Sequence, residues 1–181
     1  MGIDARSLPE RDIRGYDLLK TLVTCGSTHF KFDRLFKILD ELCDEKILDG
    51  NEIVAQTGDV DYKIRNFKNF DFKSAEELNA LQDEADLIIC HAGTGTVVGS
   101  LKKGKKVIVF PRLKEYNEHE SDNQLELAVE FERDGYVLCA KNKEELKDRI
   151  LKINEFSPVK FISNKENFVA LIRKLLDALQ V

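Results

Sequence analysis

The 181-residue sequence lacks several features that would assign it to well-known classes of protein. No apolar run approaches the roughly 20 residues that a membrane-spanning helix needs, and residues 1–12 lack the apolar core of a signal peptide. The net charge of −5 leaves no obviously basic face for nucleic acid. We therefore expect a cytoplasmic globular protein that does not bind nucleic acid.

Cysteine and histidine are scarce, and their spacing argues against disulfide and metal chemistry. The four cysteines never approach a CxxC spacing, and three of them end apolar runs, where a reduced thiol packs as a small hydrophobic group. The three histidines form no HExxH or similar ligand spacing. The sequence predicts neither a disulfide framework nor a metal site.

What the sequence does contain is an alternation of short apolar runs and segments with helical periodicity. The predicted strands are 21–25, 52–57, a short one near 70–72, 87–90, 107–110 and 136–139. The predicted helices are 30–43, 74–85, 97–103, 122–135, 143–153 and 164–180. Ser74 and Glu77 form a capping box, and Ser121 or Asp122 caps the fourth helix, whose Leu125, Ala128, Val129 and Phe131 should face inward.

This alternation predicts an α/β fold with a doubly wound, mostly parallel, six-stranded Rossmann-like sheet. Residues 1–18 are polar and contain proline and glycine, and we interpret them as an N-terminal arm ahead of one domain over 19–181. In the common strand order 3-2-1-4-5-6, the topological switch lies between the first and fourth strands. Two glycine turns, at Gly26 and Gly93, would then face each other across the ligand-binding crevice.

The stretch from Leu87 to Thr96 carries the clearest functional signal. An apolar strand ends abruptly at His91, and a turn of small residues leads into a helix. That turn consists of Ala92, Gly93, Thr94, Gly95 and Thr96. Such a turn places backbone N–H groups and a helix N-terminus at a sheet edge, where anions and above all phosphates bind. The alternatives are a tight turn without a ligand and, for His91, a purely structural imidazole.

Other phosphate-binding motifs match poorly. Residues 99–106 come nearest to a Walker A loop, but they lack the final Ser/Thr and run from helix into strand. An ordinary helix C-cap with solvated lysines fits them better. No GxGxxG motif follows the first strand, which weakens a dinucleotide-binding interpretation.

The segment 117–124 concentrates side chains that bind sugar hydroxyls, at the C-terminal end of a strand. Its candidates are Glu118, His119, Asp122, Asn123 and Gln124. A solvated charged loop with a helix cap is the alternative interpretation.

These motifs resemble the donor-binding half of GT-B glycosyltransferases, the glycosyltransferase family 28 C-terminal domain. The sequence is most similar to small separate subunits, those of the dolichyl-diphosphate GlcNAc transferase and of bacterial exopolysaccharide or capsule transferases. The matching segments are 22–28, 85–95, 104–112, 118–119 and 122–128. The resemblance covers about residues 20–180.

The resemblance implies an inverting transfer from a UDP-sugar, and we expect no metal or other cofactor. It implies that Ser27 and Thr28 lie near the diphosphate and that the backbone of 93–96 closes round it. It also implies that the backbone near Ser74 and Ala75 meets the uracil edge. Asn123 and Gln124 would hold sugar hydroxyls. Gly99 departs from the pattern, because many relatives have an acidic residue there that binds the ribose.

A GT-B enzyme joins two such domains, and this sequence has the length of one. We therefore expect the donor-binding catalytic subunit of a split glycosyltransferase in polysaccharide or glycan biosynthesis. A membrane-associated subunit would hold this chain at the membrane, present a lipid-linked acceptor and supply the general base, with His91 and His119 as fallback candidates. The alternatives are a non-catalytic nucleotide-sugar-binding or regulatory subunit and a stand-alone UDP-sugar epimerase. The isolated chain is expected to self-associate.

Overall fold

The computed structural model describes residues 19–26 and 30–162. Within these ranges six strands form one parallel sheet in the order β3-β2-β1-β4-β5-β6. The strands are β1 (Thr21–Thr24), β2 (Ile53–Gln56), β3 (Lys68–Phe70), β4 (Leu87–Cys90), β5 (Lys106–Val109) and β6 (Leu138–Cys139). The predicted fold class and strand order are confirmed. The predicted arm 1–18, the residues Ser27 and Thr28, and the helix 164–180 lie outside the described residues.

Five helices cover the two faces of the sheet in this part of the chain. They are α1 (Asp33–Asp44), α2 (Ala75–Glu84), α3 (Thr94–Lys102), α4 (Asn123–Arg133) and α5 (Lys143–Leu151). Side chains of α1 and α5 form one core cluster with the sheet, and those of α2, α3 and α4 form the other. None of the described helices has the length and apolar character needed to cross a membrane.

The two central strands, β1 and β4, are buried at every position. Because helices cover both faces, neither strand alternates between apolar and polar residues. β4 is a continuous apolar run, and in β1 two apolar residues lie between Thr21 and Thr24, whose buried hydroxyls donate to the Leu19 carbonyl oxygen and to Gln56 Oε1. Their register pairs Thr24 with Gln56 on one side and with Cys90 on the other. The chain therefore leaves β1, β2 and β4 at the same edge of the sheet.

The ends of α2 and α3 follow local sequence signals. The Glu77 N–H donates to Ser74 Oγ at 3.2 Å, and the Ser74 N–H donates to Glu77 Oε2 at 3.0 Å, which confirms the capping box. Gly104 follows α3 with a left-handed φ of +69°, as expected for a helix C-cap. The Walker-like lysines lie at this end of α3, opposite the glycine turn.

Several local predictions were wrong in detail. The helix predicted over 97–103 begins three residues earlier, at Thr94, and the strand predicted over 136–139 begins two residues later, at Leu138. Val129 is 48% exposed because the buried stripe of α4 is centred on Ala128 and Val129 lies one 100° step away. The third strand is Lys68–Phe70, two residues early, since its register with Val54–Gln56 fixes its position. The Asp122 side chain does not cap α4, because its Oδ1 accepts from the Lys114 N–H at 2.9 Å.

Candidate functional site

The side chain of His91 joins the carboxyl ends of the two central strands. Its Nδ1 lies 3.4 Å from the carbonyl oxygen of Thr24 at the end of β1. A Cβ added to Gly26 would lie 2.6 Å from His91 Cε1, and a Cβ added to Gly93 would lie 2.5 Å from Nε2. The two turns that sequence reasoning placed opposite each other therefore pack against one imidazole ring, which leaves no room for a side chain at either glycine.

Burial keeps the His91 imidazole neutral. The residue is 7% exposed, and burial, followed by the nearby Arg112 cation, lowers the pKa of His91 from 6.5 to about 4. With Nδ1 facing a carbonyl oxygen, the neutral ring has its proton on Nδ1 and a lone pair on Nε2. At pH 7 His91 therefore contributes an acceptor, not a positive charge, to this edge of the sheet.

The depressed pKa of His91 predicts a pH dependence of stability. Between pH 6.5 and 4 the unfolded chain binds a proton that the folded chain excludes, so the free energy of unfolding falls as pH decreases through this window. The full effect is about 3 kcal/mol. Urea unfolding of the wild type and His91→Gln at pH 4, 5, 6 and 7 measures it, because subtracting the variant removes the contribution of carboxylates. Parallel curves for the two proteins would contradict this prediction.

The first turn of α3 lies beside the imidazole and is open to solvent. Its first helical hydrogen bond runs from the Val97 N–H to the Gly93 carbonyl oxygen at 3.0 Å, so the N–H groups of 94–96 precede the helical ladder. Thr94 and Gly95 are exposed, and a Cβ added to Gly95 would meet nothing within 4 Å. Free N–H groups and the positive end of a helix dipole favour an anion here.

Ala92 makes the turn between β4 and α3 in a conformation that the sequence does not signal. Its φ is +67°, in the left-handed region that costs a non-glycine residue about 1–2 kcal/mol. Its methyl group is buried in the apolar cluster beneath α3, and this burial offsets part of the cost. The strain lies between His91 and Gly93, where the chain must turn sharply.

Arg112 is a buried cation that sequence reasoning did not select. Its Nη2 donates to the carbonyl oxygens of Cys25 at 2.8 Å and Phe30 at 3.2 Å, and its guanidinium lies 5.1 Å from the ring centroid of Phe32. It thus ties the end of β5 to the segment that follows β1. A charged residue after a strand usually indicates a solvated loop, so the burial of Arg112 cannot be predicted from the sequence.

Two of the residues predicted to bind sugar hydroxyls, here called the sugar-side residues, contact other groups of the protein. Glu118 is 5% exposed, and its carboxylate accepts from Arg34 Nε at 2.8 Å and Nη2 at 2.7 Å. His119 is half-buried, with Nδ1 3.0 Å from the Ser121 carbonyl oxygen and its ring 5.1 Å from that of Phe30. His119 also helps to lower the pKa of His91. Glu118 therefore holds its own loop in place. Of these two residues, only His119 lies near the crevice.

The other predicted sugar-side residues lie at the N-terminus of α4. Asn123 is its first residue and is exposed, while Asp122 immediately precedes it. Gln124 accepts from the Arg112 N–H through Oε1 at 3.2 Å, so its amide NH₂ is the group that it can offer a ligand. Their role in sugar binding stays a prediction.

Ser74 and Ala75 lie at the start of α2, and both are exposed. Phe72 precedes them with 45% of its surface exposed, and its Cζ lies 3.4 Å from where a Cβ on Gly58 would stand. An exposed aromatic ring therefore lies at the carboxyl ends of β2 and β3. Sequence reasoning assigned Phe72 to the strand and missed its exposure.

Gly99 lies on the side of α3 that faces α2. A Cβ added there would lie 3.8 Å from Gln82 Oε1, and the Gln82 amide donates to Ser100 Oγ at 3.4 Å. Gly99 is half-buried, so the position has room for a larger side chain. One turn further on, Lys103 forms an ion pair with Asp83 of α2 at 2.8 Å.

The cysteines, the acidic residues and a second cavity do not add to this site. All four cysteines are free thiols, and burial raises the pKa of Cys25 to about 11. In the ranges 19–26 and 30–162, no cluster of three or more His, Cys, Asp or Glu residues could hold a metal ion. A cavity of about 760 Å³ opens at the opposite edge, at the amino ends of β1, β2 and β4, and is lined mainly by apolar residues.

Comparison with known proteins relates these features to a family. Residues 21–178 match the family described as Glycosyltransferase family 28 C-terminal domain. The UDP-N-acetylglucosamine transferase subunit ALG13 of Candida albicans is 36% identical over 91 residues, which are 48% of this chain and 30% of that protein. A UDP-N-acetylglucosamine--N-acetylmuramyl-(pentapeptide) pyrophosphoryl-undecaprenol N-acetylglucosamine transferase of Prochlorococcus marinus is 32% identical over 108 residues, which are 56% of this chain and 29% of that protein.

A solved structure shares the fold. The NMR solution structure of ALG13 superposes with a TM-score of 0.58 at 23% identity, covering 86% of this chain and 95% of that one. Identity at this level shows a common fold and nothing more. The chain spans about 30% of the length of the two sequence relatives that it matches.

Proposed function

The chain belongs to the glycosyltransferase family 28 C-terminal domain family, and from this premise we propose that it binds a UDP-sugar as the donor subunit of a split glycosyltransferase. The observation that carries the proposal is the open N-terminus of α3 beside His91, at the switch between β1 and β4. The names of the two relatives support UDP-N-acetylglucosamine as the donor.

The diphosphate is proposed to bind at the first turn of α3. The N–H groups of 94–96 donate to phosphate oxygens, and the glycine at 95 lets them approach the main chain closely. Ser27 and Thr28 are proposed to lie near the diphosphate, as the family resemblance implies. Because His91 is neutral, the charge that favours the diphosphate comes from the helix terminus and from the buried Arg112 behind it.

The two ends of the donor would lie on either side of α3. Phe72 offers an aromatic face at the carboxyl ends of β2 and β3, next to Ser74 and Ala75, whose main chain would meet the uracil edge. On the other side, Asn123 and the amide NH₂ of Gln124 would contact the sugar hydroxyls. This places the nucleotide across the edge where β1, β2 and β4 end.

The same geometry supplies a mechanism for the transfer. When the bond to the sugar breaks, negative charge builds on the β-phosphate, and fixed N–H donors stabilise it more in the transition state than in the ground state. The acceptor hydroxyl is proposed to attack from the opposite face, which would invert the anomeric carbon, as the family resemblance implies. A partner subunit would supply the general base, and His91 Nε2 and His119 are the fallback acceptors on this chain.

We further propose that the partner is membrane-associated and presents a lipid-linked acceptor. The support is that the Candida albicans relative is named a transferase subunit and that the Prochlorococcus marinus relative is named for an undecaprenol-linked acceptor. The chain would then work at the cytoplasmic side of a membrane through that partner.

Calorimetric titration of the full chain with UDP, UDP-N-acetylglucosamine and ADP tests donor binding. We expect binding of the two uridine nucleotides and at least about tenfold weaker binding of ADP, because the base edge is recognised by hydrogen bonds. Absence of heat with all three would reject the site.

Co-expression with a membrane-anchored neighbour tests the split enzyme. Transfer to a lipid-linked acceptor only when both chains are present supports the proposal. Binding of UDP-sugar without transfer in the presence of the partner would favour a non-catalytic nucleotide-sugar-binding subunit instead, and transfer by this chain alone would reject the dependence on a partner.

A further inference from the structure

Arg34, in the first turn of α1, contacts the loop that precedes the predicted sugar-side residues. Its Nε and Nη2 donate to the two carboxylate oxygens of Glu118 at 2.8 and 2.7 Å. Nη2 also donates to the Pro111 carbonyl oxygen at 3.0 Å, and Nη1 donates to that of Lys141 at 2.7 Å. One guanidinium therefore joins both ends of the segment 111–118 to the turn after β6.

The guanidinium also lies over two aromatic rings. Its central carbon lies 4.5 Å from the ring centroid of Phe110 and 4.6 Å from that of Tyr116. The side chains of Arg34 and Glu118 are 18% and 6% exposed. A planar fork paired with both oxygens of a carboxylate, and stacked on rings, fixes one geometry that a lysine could not reproduce.

The segment that Arg34 holds forms hydrogen bonds with the side chains predicted to contact the sugar. The carboxylate that Arg34 holds also accepts from the Leu113 N–H at 3.1 Å. The N–H groups of the same segment then hold two side chains at the start of α4. Lys114 donates to Asp122 Oδ1 at 2.9 Å, and Arg112 donates to Gln124 Oε1 at 3.2 Å. A shift of the segment would therefore move Asp122 and Gln124 together.

We propose that Arg34 is a positioning residue for the donor sugar, which sets the position of Asp122 and Gln124 at the start of α4, where Asn123 and Gln124 meet the sugar hydroxyls, and thereby selects among UDP-sugars. The inference rests on the proposed function. In the part of the chain that the structure describes, the hydrogen bonds of Arg34 go to the loop 111–118 and to Lys141, and none goes to the first turn of α3. Loss of Arg34 should therefore separate sugar selection from nucleotide binding.

The experiment compares the affinities of the full chain for UDP, UDP-N-acetylglucosamine and UDP-glucose by calorimetry. For Arg34→Gln we expect the Kd of UDP to stay within about twofold and the preference between the two sugars to fall about tenfold or more, since small misplacement of positioning groups has effects of this size. Arg34→Lys retains the charge without the fork and should lose most of the preference too. Lys37→Gln removes an exposed cation from the same helix and is the matched control.

Two further measurements distinguish positioning from a general loss of structure. Amide hydrogen exchange should accelerate at Leu113 in Arg34→Gln, while the amides of β4 keep their protection. Glu118→Gln should reduce the preference by itself, and the double variant should be no worse than either single one, because both changes release the same loop.

Several outcomes would overturn the proposal. These are an unchanged sugar preference in Arg34→Gln or Arg34→Lys, a parallel loss of UDP and UDP-sugar binding, an equal effect of Lys37→Gln, and a wild type that shows no preference. If Arg34→Gln does not fold, Arg34→Lys carries the test. A wild type that binds none of the three nucleotides rejects the proposed function itself, which is a different result from nucleotide binding with an unaltered preference.

Discussion

Replacing Gly95 by aspartate is expected to abolish most UDP binding while leaving the folded chain as stable as the wild type or slightly more stable. The added side chain enters open space, because a Cβ at this position meets nothing within 4 Å. A carboxylate in the first turn of α3 interacts favourably with the helix dipole, by about 0.3–1 kcal/mol. The same carboxylate would repel a diphosphate bound at the N–H groups of 94–96.

The size of the repulsion follows from Coulomb's law. At about 5 Å and an effective dielectric constant of about 40, one pair of like charges costs about 1.7 kcal/mol, which corresponds to about a 16-fold weaker Kd. Calorimetry with UDP measures the affinity, and urea unfolding measures the stability. Gly95→Asn is the matched control, since it has the same shape without the charge and should change the Kd less than about threefold.

This prediction is specific because the stability of the folded chain should stay the same or rise while its affinity for UDP falls. A helix terminus without a ligand would show the gain in stability and no change in UDP affinity. Equal weakening by Asp and Asn would show that bulk rather than charge matters at Gly95, and the diphosphate would then have to bind elsewhere.

Gly93→Ala is expected to destabilise the protein by about 2–3 kcal/mol, although the glycine has an ordinary φ of −65°. The reason is the His91 ring, because the new Cβ would lie 2.5 Å from Nε2. The ring cannot move away freely, since Gly26 lies against it on the β1 side. In a His91→Ala background the clash is absent, and the same substitution should cost less than about 1 kcal/mol.

Gly26→Ala gives the contrasting result. Its Cβ would also meet the His91 ring, at 2.6 Å, but its φ of +77° is unfavourable for any side chain. Removing the ring should therefore restore only part of the stability lost in Gly26→Ala. Urea unfolding of the single and double variants measures both cycles, and an identical cost of Gly93→Ala with and without His91 would contradict the packing shown here.

The sequence was sufficient for the existence and type of the elements and for the capping box at Ser74, whereas the strand order is the common one for this fold class. Each of these depends on local patterns: buried parallel strands are short apolar runs, and helices show their period within a dozen residues. The errors were also local, at Val129, at the short edge strand and at the Asp122 cap. At these positions, contact with a neighbouring element decided which residues form the strand, face the core or cap the helix.

The contacts around the candidate site were beyond sequence reasoning because their partners are far apart in the chain. Arg34 and Glu118 are separated by 84 residues, and Arg112 and Cys25 by 87. In a one-dimensional sequence a buried arginine cannot be told from a solvated one, since burial depends on which loops meet at the sheet edge. Glu118 was for this reason predicted to face a sugar.

The sequence by itself determined that small-residue turns end the first and fourth strands of a parallel sheet, which is enough to locate a crevice. Only the tertiary structure decided that the ring of His91 fills the space between those turns as a neutral group, and that Ala92 takes a left-handed conformation between strand and helix. The physical reason is that polarity, strain and pKa depend on what packs against a residue, and packing is fixed only when distant segments come together.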